Sequence, residues 1–252
     1  MLLRKITKHV NDQNWFAVFI DFLIVVLGIL IALQITNWSV AQKDRDDETY
    51  YLNRLLNDID ESMANNEKVI EFMNNKIITS YWVLNKLRSG QLADGEEPEF
   101  KQRFMKIGNW LTGDFIDSAI VELKSSGRLG IIQSKKFREH LGRFQLDISS
   151  LRRGQSNIAD MHKDLSLEIT ARVDRGSVNS EQILLEIHQD FVIETELLSS
   201  FEDLANDKIL HRYVERYAFF YQVRMGFVQQ LQKALVELRT QTELALKGGD
   251  LS

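Results

Sequence analysis

The chain is predicted to be all-α, with one N-terminal transmembrane helix followed by an elongated helical bundle of two long helices and shorter middle helices. Three observations predict it. A single proline, Pro98, stands among 252 residues and the 13 glycines are clustered, which leaves long stretches free of helix breakers. No sustained period-two run of β-branched and aromatic residues marks a strand. Apolar residues instead recur at three- and four-residue spacing through most of the chain beyond residue 45.

Residues 1–14 read as a short basic segment, followed by a transmembrane helix over 15–38. The core of that span is WFAVFIDFLIVVLGILIAL, Trp15 to Leu33. At 1.5 Å per residue it covers about 28 Å, the thickness of a bilayer's hydrocarbon. Trp15 and Trp38 stand at its two ends as interfacial anchors. A cleavable signal peptide is disfavoured, because Ile31 to Trp38 holds no small-residue cleavage site. A soluble core helix is disfavoured as well, since Phe22 to Leu33 carries no polar side chain on any face.

Arg4, Lys5 and Lys8 precede the span, whereas Lys43 and Arg45 follow it among several acids. This contrast predicts a cytoplasmic N-terminus and a periplasmic or extracytoplasmic helical domain at a bacterial inner membrane. Cysteine is absent, which excludes disulfides and thiolate chemistry without choosing a compartment.

The helical domain is expected over 39–247, with a frayed tail at 248–252. From roughly Asp46 to Arg88 a seam of Leu52, Leu56, Ile59, Met63, Asn66, Ile70, Met73, Ile77, Ser80, Leu84 and Leu87 predicts one long helix. Asn66 and Ser80 interrupt it, either fixing register or marking a wet or kinked turn. The loop Ser89 to Pro98 ends that helix, and a short one runs from Pro98 or Glu99 to about Leu111. Asp114 is expected to cap a helix over Phe115 to Ser126, with Gly127 at the left-handed position after it. Ser134 begins a longer run towards Arg175, with a break suggested at Gly154, and Gly176 ends it. A further helix is expected from Ser180 to about Leu198. The last, Asp207 to Lys247, carries Leu210, Tyr213, Tyr217, Phe220, Phe227, Leu231, Ala234 and Leu238, and Gly248-Gly249 closes it.

The first 14 residues are net +2, so the total of −5 leaves −7 on the remainder, an acidic body that argues against nucleic acid as a partner. His9, His140, His162, His188 and His211 lack metal-ligand spacing, and neither a phosphate loop nor a nucleophile elbow is found. Ser126-Gly127-Arg128-Leu129-Gly130 reads as a helix stop and turn. Tyr213, Tyr217, Phe219, Phe220 and Tyr221 read as core by their helical spacing, and Arg224 is expected to pair with a carboxylate. No catalytic residue, cofactor or metal is predicted.

One residue in the span calls for explanation. Ala17, Asp21, Gly28 and Ala32 fall within about 40° of one direction, a small and polar stripe on a bulky helix. Three readings follow: a carboxylate that snorkels or is protonated, a helix-association seam joining identical or different spans, or a proton-handling site.

The chain resembles an uncharacterised family of bacterial single-span, N-terminally anchored helical proteins. The likeness rests on Gln13-Asn14-Trp15, on IDFLIVVLGILI from Ile20 to Ile31, and on Gln34-Ile35-Thr36-Asn37-Trp38. A second block, Leu123 to Ile132 followed by Phe137-Arg138, shares it. The resemblance implies anchor and architecture and no activity. Phe19-Ile20-Asp21-Phe22 is also similar to the spans of the smaller subunits of proton-driven stator and energy-transducing complexes, which implies proton transfer at Asp21 alone. Those subunits end in mixed α/β modules, whereas here only helices are read.

The expected function is therefore non-catalytic binding or assembly at the lipid bilayer, by a homo-oligomer through the span or with another membrane protein. A proton- or ion-handling subunit using Asp21 and a ligand-sensing domain signalling through a partner are the alternatives.

Overall fold

A computed structural model describes residues 15–109, 111–174 and 196–248. The described elements are α1 (Trp15–Ser89), α2 (Glu97–Lys106), α3 (Ser118–Ser125), a 3₁₀ turn (Arg128–Ile131), α4 (Lys135–Thr170), β1 (Val173–Asp174), β2 (Glu196–Leu197), α5 (Phe201–Asn206) and α6 (Lys208–Leu246). The architecture is all-α; the two-residue strands form a single antiparallel bridge, Val173 opposite Leu197. The chain divides into two compact units, Met1–Tyr51 and Leu52–Ser252.

In the first unit the described part is the N-terminal stretch of α1. Between Gly28 and Gly90 there is neither glycine nor proline, so nothing in the backbone chemistry stops the helix at residue 38 or 46. The expected anchor and the expected long helix are accordingly one element of 75 residues. Thr36 donates its hydroxyl to the Ala32 carbonyl at 2.9 Å, which pairs a polar group inside an apolar stretch.

In the second unit α1 and α6 run antiparallel. Arg239 meets Asp60 at 2.8 Å, Gln222 meets Tyr81 at 3.3 Å, and Arg88 meets Glu215 at 3.1 Å. Both helices bury a strict heptad row. On α6 it is Leu210, Val214, Tyr217, Tyr221, Arg224, Val228, Leu231, Leu235, Leu238 and Thr242. On α1 it is Leu52, Leu55, Ile59, Ser62, Asn66, Val69, Met73, Lys76, Ser80, Val83 and Leu87.

That row corrects the expected seam at alternate positions. Leu52, Ile59, Asn66, Met73, Ser80 and Leu87 lie in it as expected, and Leu84 is buried beside it. Leu56, Met63, Ile70 and Ile77 are only half-buried, and their N-terminal neighbours Leu55, Ser62, Val69 and Lys76 take the centre. Choosing the more apolar of two adjacent residues misses Ser62 and Lys76, which are polar for the reason given below, while Leu55 and Val69 stand beside equally aliphatic neighbours that sequence alone does not rank.

Gly90, at φ 66°, ends α1. The chain returns along it as α2, fixed by Lys86 and Glu96 at 2.6 Å and by Trp82 against Phe100 at 6.4 Å between ring centroids. Phe100 and Phe104 are fully buried, and Phe201 of α5 stands edge-on to Phe100 at 4.9 Å. Burying each such ring contributes about 1.5–3 kcal/mol. The capping box of Ser200 and Asp203 starts α5, and Asp207 caps α6 by accepting from the Ile209 and Leu210 N–H groups at 2.9 Å.

The third long helix, α4, has 36 residues and begins where expected, with Ser134 as its N-cap accepting from the Phe137 N–H at 3.1 Å. It packs antiparallel on α6, with His140 near Glu237 at 3.9 Å and Gly154 against Phe227. The suggested break at Gly154 does not occur. A Cβ there would lie 2.9 Å from Phe227 Cζ, so this glycine serves close helix approach.

Other boundaries shift inward. The helix towards Leu111 stops at Lys106, the helix expected from Phe115 starts at Ser118, and α4 stops at Thr170 rather than near Arg175. Most of the helix expected from Ser180 to Leu198 lies outside the described residues, and its end, Glu196–Leu197, is in the bridge.

Candidate functional site

Two places carry chemistry that packing alone does not account for. The first is the apolar stretch of α1. Among the described residues one helix, α1, is long and apolar enough to cross a membrane over a stretch beginning at Val18; its most apolar window has mean hydropathy 2.8 and no residue buried within the chain. Asp21, Gly28 and Ala32 are all exposed there, and a Cβ placed on Gly28 would touch nothing within 4 Å. Trp38 is 70% exposed. Trp15 and Ala17 lie in the same helix, their side chains outside the described residues.

The second is the irregular chain between α2 and α3, described over 107–109 and 111–117, which buries Ile107, Gly113 and Phe115 against the rest of the second unit. Backbone outside a helix must find partners elsewhere, or each buried group costs about 1–3 kcal/mol. Here the heptad rows supply those partners. Lys76 of α1 donates to the Lys106 carbonyl. Tyr221 of α6 directs its hydroxyl at the carbonyls of Ile107 and Asn109, 2.6 Å from each. Arg224 Nη2 donates to the Leu111 carbonyl at 2.6 Å. Ser62 accepts from the Ile116 N–H at 2.8 Å and itself donates to the Asp58 carbonyl.

The same segment is held from outside. Asp58 accepts from the Ser118 hydroxyl and from the Ala119 N–H at 2.8 Å, so the first turn of α3 is capped by a carboxylate from another helix. Arg152 of α4 donates to Asp114 at 2.7 Å, Asp117 at 3.1 Å and the Phe115 carbonyl at 2.8 Å. Asp114, expected as a helix cap, instead accepts from Phe115 N–H and Arg152. Gly113 packs against Asn66 and Val228 where a side chain would not fit.

This clasp accounts for Ser62, Lys76, Tyr221 and Arg224 in the rows, whereas the side chains of Asn66 and Ser80 make no hydrogen bond to it. Arg224 is 1% exposed and meets a main-chain carbonyl where a carboxylate was expected. Burial lowers its guanidinium to about 10, and pushes the Tyr221 hydroxyl well above its ordinary value, helped by Tyr217. Asn66 and Ser80 are fully buried inside an unbroken helix, so neither marks a wet turn. Lys76, Tyr221, Gly113 and Arg152 were not singled out from sequence as a group; the available signal was polar residues recurring in heptad register with apolar ones.

The remaining motifs are structural. Gly127 adopts φ 69° and ends α3 as expected. Tyr217 and Tyr221 stack in the core at 6.3 Å, but Phe219, grouped with them from sequence, is 57% exposed. His211 is buried, and burial, then Lys208, lowers its pKa. Among the described residues no cluster of three His, Cys, Asp or Glu is arranged to hold a metal.

A helical protein with a membrane-compatible helix and an internally clasped bundle is the class that these features define. Residues 21–130 match a family of unknown function (DUF6090), so the resemblance to an uncharacterised family holds over that segment. The match takes in Asp21, the heptad row of α1, the clasp segment and α3. No curated protein and no solved structure matches the chain.

Proposed function

We propose that the protein is a non-catalytic binding or assembly protein, anchored in a bacterial inner membrane by a single pass over residues 15–38. In this reading the N-terminus is cytoplasmic and the helical unit extracytoplasmic. The observation that carries it is the apolar stretch of α1, exposed on all sides from Val18 through Val40 apart from the half-buried Val26. Continuous apolar surface of this kind is the mark of a membrane or a partner contact. The stripe of Ala17, Asp21, Gly28 and Ala32 then offers close approach and a hydrogen-bonding group to a second span, identical or not. Asp21 also favours one other reading, a proton-handling subunit, because a lone carboxylate on a spanning helix is costly unless it is used.

Alkaline carbonate extraction of membranes containing the full chain tests the anchor: retention in the pellet is expected, and release with the soluble fraction would overturn the reading. The absence of native cysteine makes topology equally direct. An impermeant maleimide applied from the extracytoplasmic side should label Ser149→Cys, in the helical unit, and spare Asn11→Cys. The opposite pattern would invert the orientation.

A further inference from the structure

We propose that the cleft between α1 and α2, lined by Lys76, Arg103 and Lys106, binds a small phosphate-bearing anion. This goes beyond the assembly reading and does not rest on it. The cleft measures about 260 Å³, and Asn75, Thr79 and Gln102 complete its polar lining. That volume is below the roughly 300–1,000 Å³ of sites for drug-sized ligands, so the occupant is small. The antiparallel return of the chain places it: Phe72, Asn75, Lys76 and Thr79 share one face of α1, opposite Gln102, Arg103 and Lys106 of α2.

Charge identifies the ligand. Three cations and no carboxylate are among the described residues lining the cleft, in a chain of net charge −5. Arg103 is compensated by Glu99 at 2.6 Å and lies over the Trp82 ring at 4.7 Å. The surplus is therefore on Lys76 and Lys106. Lys76 is 8% exposed, with its ammonium 5.0 Å from the centre of the Phe72 ring. One N–H goes to the Lys106 carbonyl and so covers the negative end of α2, leaving two more donors on the same nitrogen. Burial, then the neighbouring Lys106, draws Lys76 down to about 8, the behaviour of an amine that lacks a counter-charge. A tetrahedral oxyanion supplies that charge, together with acceptors for the ammonium and for the amide and hydroxyl donors around it. A free phosphate ester and a phospholipid headgroup share this chemistry.

The test uses the full chain in an uncharged detergent with its lysine Cε carbons ¹³C-labelled, the Lys76 line being assigned from Lys76→Met. Inorganic phosphate and glycerol 3-phosphate are titrated at pH 7 against sodium chloride of equal ionic strength. In a parallel arm the chain is placed in zwitterionic nanodiscs with and without phosphatidylglycerol. Saturable movement of the Lys76 line with a phosphate probe, weakened at least tenfold in Lys106→Gln, is expected. Movement in the soluble arm alone identifies a free ester, and in the nanodisc arm alone a lipid headgroup. Absence of movement in both arms, equal movement with chloride, or unchanged affinity in Lys106→Gln overturns the proposal. Lys106 is only half-buried, and where Lys76→Met fails to fold the line is assigned from the charge-conserving Lys76→Arg, so Lys106→Gln still decides the matter.

Discussion

Replacing Gly154 and Gly142 by alanine separates helix propensity from helix packing within one element. Both glycines are interior to α4, where alanine is favoured over glycine by about 0.8–1.0 kcal/mol. A Cβ on Gly142 meets nothing within 4 Å, so Gly142→Ala should realise that gain, roughly 2–4 °C in Tm for a unit of this size. A Cβ on Gly154 lies 2.9 Å from Phe227 Cζ and 3.0 Å from Cε1, several tenths of an ångström inside ordinary contact. Overpacking of this kind costs about 1–3 kcal/mol, which leaves Gly154→Ala neutral to about 2 kcal/mol destabilised. The assay is thermal unfolding of the full chain in uncharged detergent, followed by circular dichroism at 222 nm. In a Phe227→Leu background the obstacle is removed, and Gly154→Ala should recover a gain close to that of Gly142→Ala. Equal stabilisation by the two alanines in the otherwise unchanged chain would refute the close packing of α4 on α6.

Asp58→Ala removes the carboxylate that accepts from Ser118 and Ala119 and should cost about 1–2 kcal/mol by denaturant unfolding, with Asp58→Asn intermediate. Burial works against the charge of Asp207, but the Leu210 N–H, Arg172 and the Ile209 N–H outweigh it and hold this carboxyl below its ordinary value. Its contribution is present above the unfolded value of about 3.9 and is lost as pH falls through the folded one, a loss that Asp207→Asn should abolish in acid titrations of stability. Lys76 has the opposite acid–base character: lowered to about 8 from about 10.4 in the unfolded chain, it leaves the unfolded state holding more protons between those values. Stability should therefore rise with pH across that window through this residue, and Lys76→Met should flatten the rise.

The helical class was legible because breakers are few and apolar spacing is regular, and the starts of two long helices at Ser134 and Asp207 were legible because each is a short polar residue just before a helical run, whereas the cap expected at Asp114 was not formed. The continuity of α1 is not legible from composition, because a change of environment from apolar to acidic looks like a boundary although neither glycine nor proline stands between Gly28 and Gly90. The clasp could not be read from periodicity. Lys76 and Arg224 serve carbonyls 30 and 113 residues away in sequence, and which backbone lacks a partner is decided by where α2 ends. Gly154 shows the same ambiguity, since a glycine that stops a helix and one that admits a phenylalanine ring look alike in sequence. The stripe at Asp21 was plain from residue types, but its role depends on what meets it in the membrane.

The most direct test of assembly through the span is the mass of the detergent-purified full chain by light scattering, wild type beside Asp21→Leu. A defined oligomer that dissociates in the mutant is the predicted result. A monomer in both, or an oligomer indifferent to the substitution, would contradict association through this stripe.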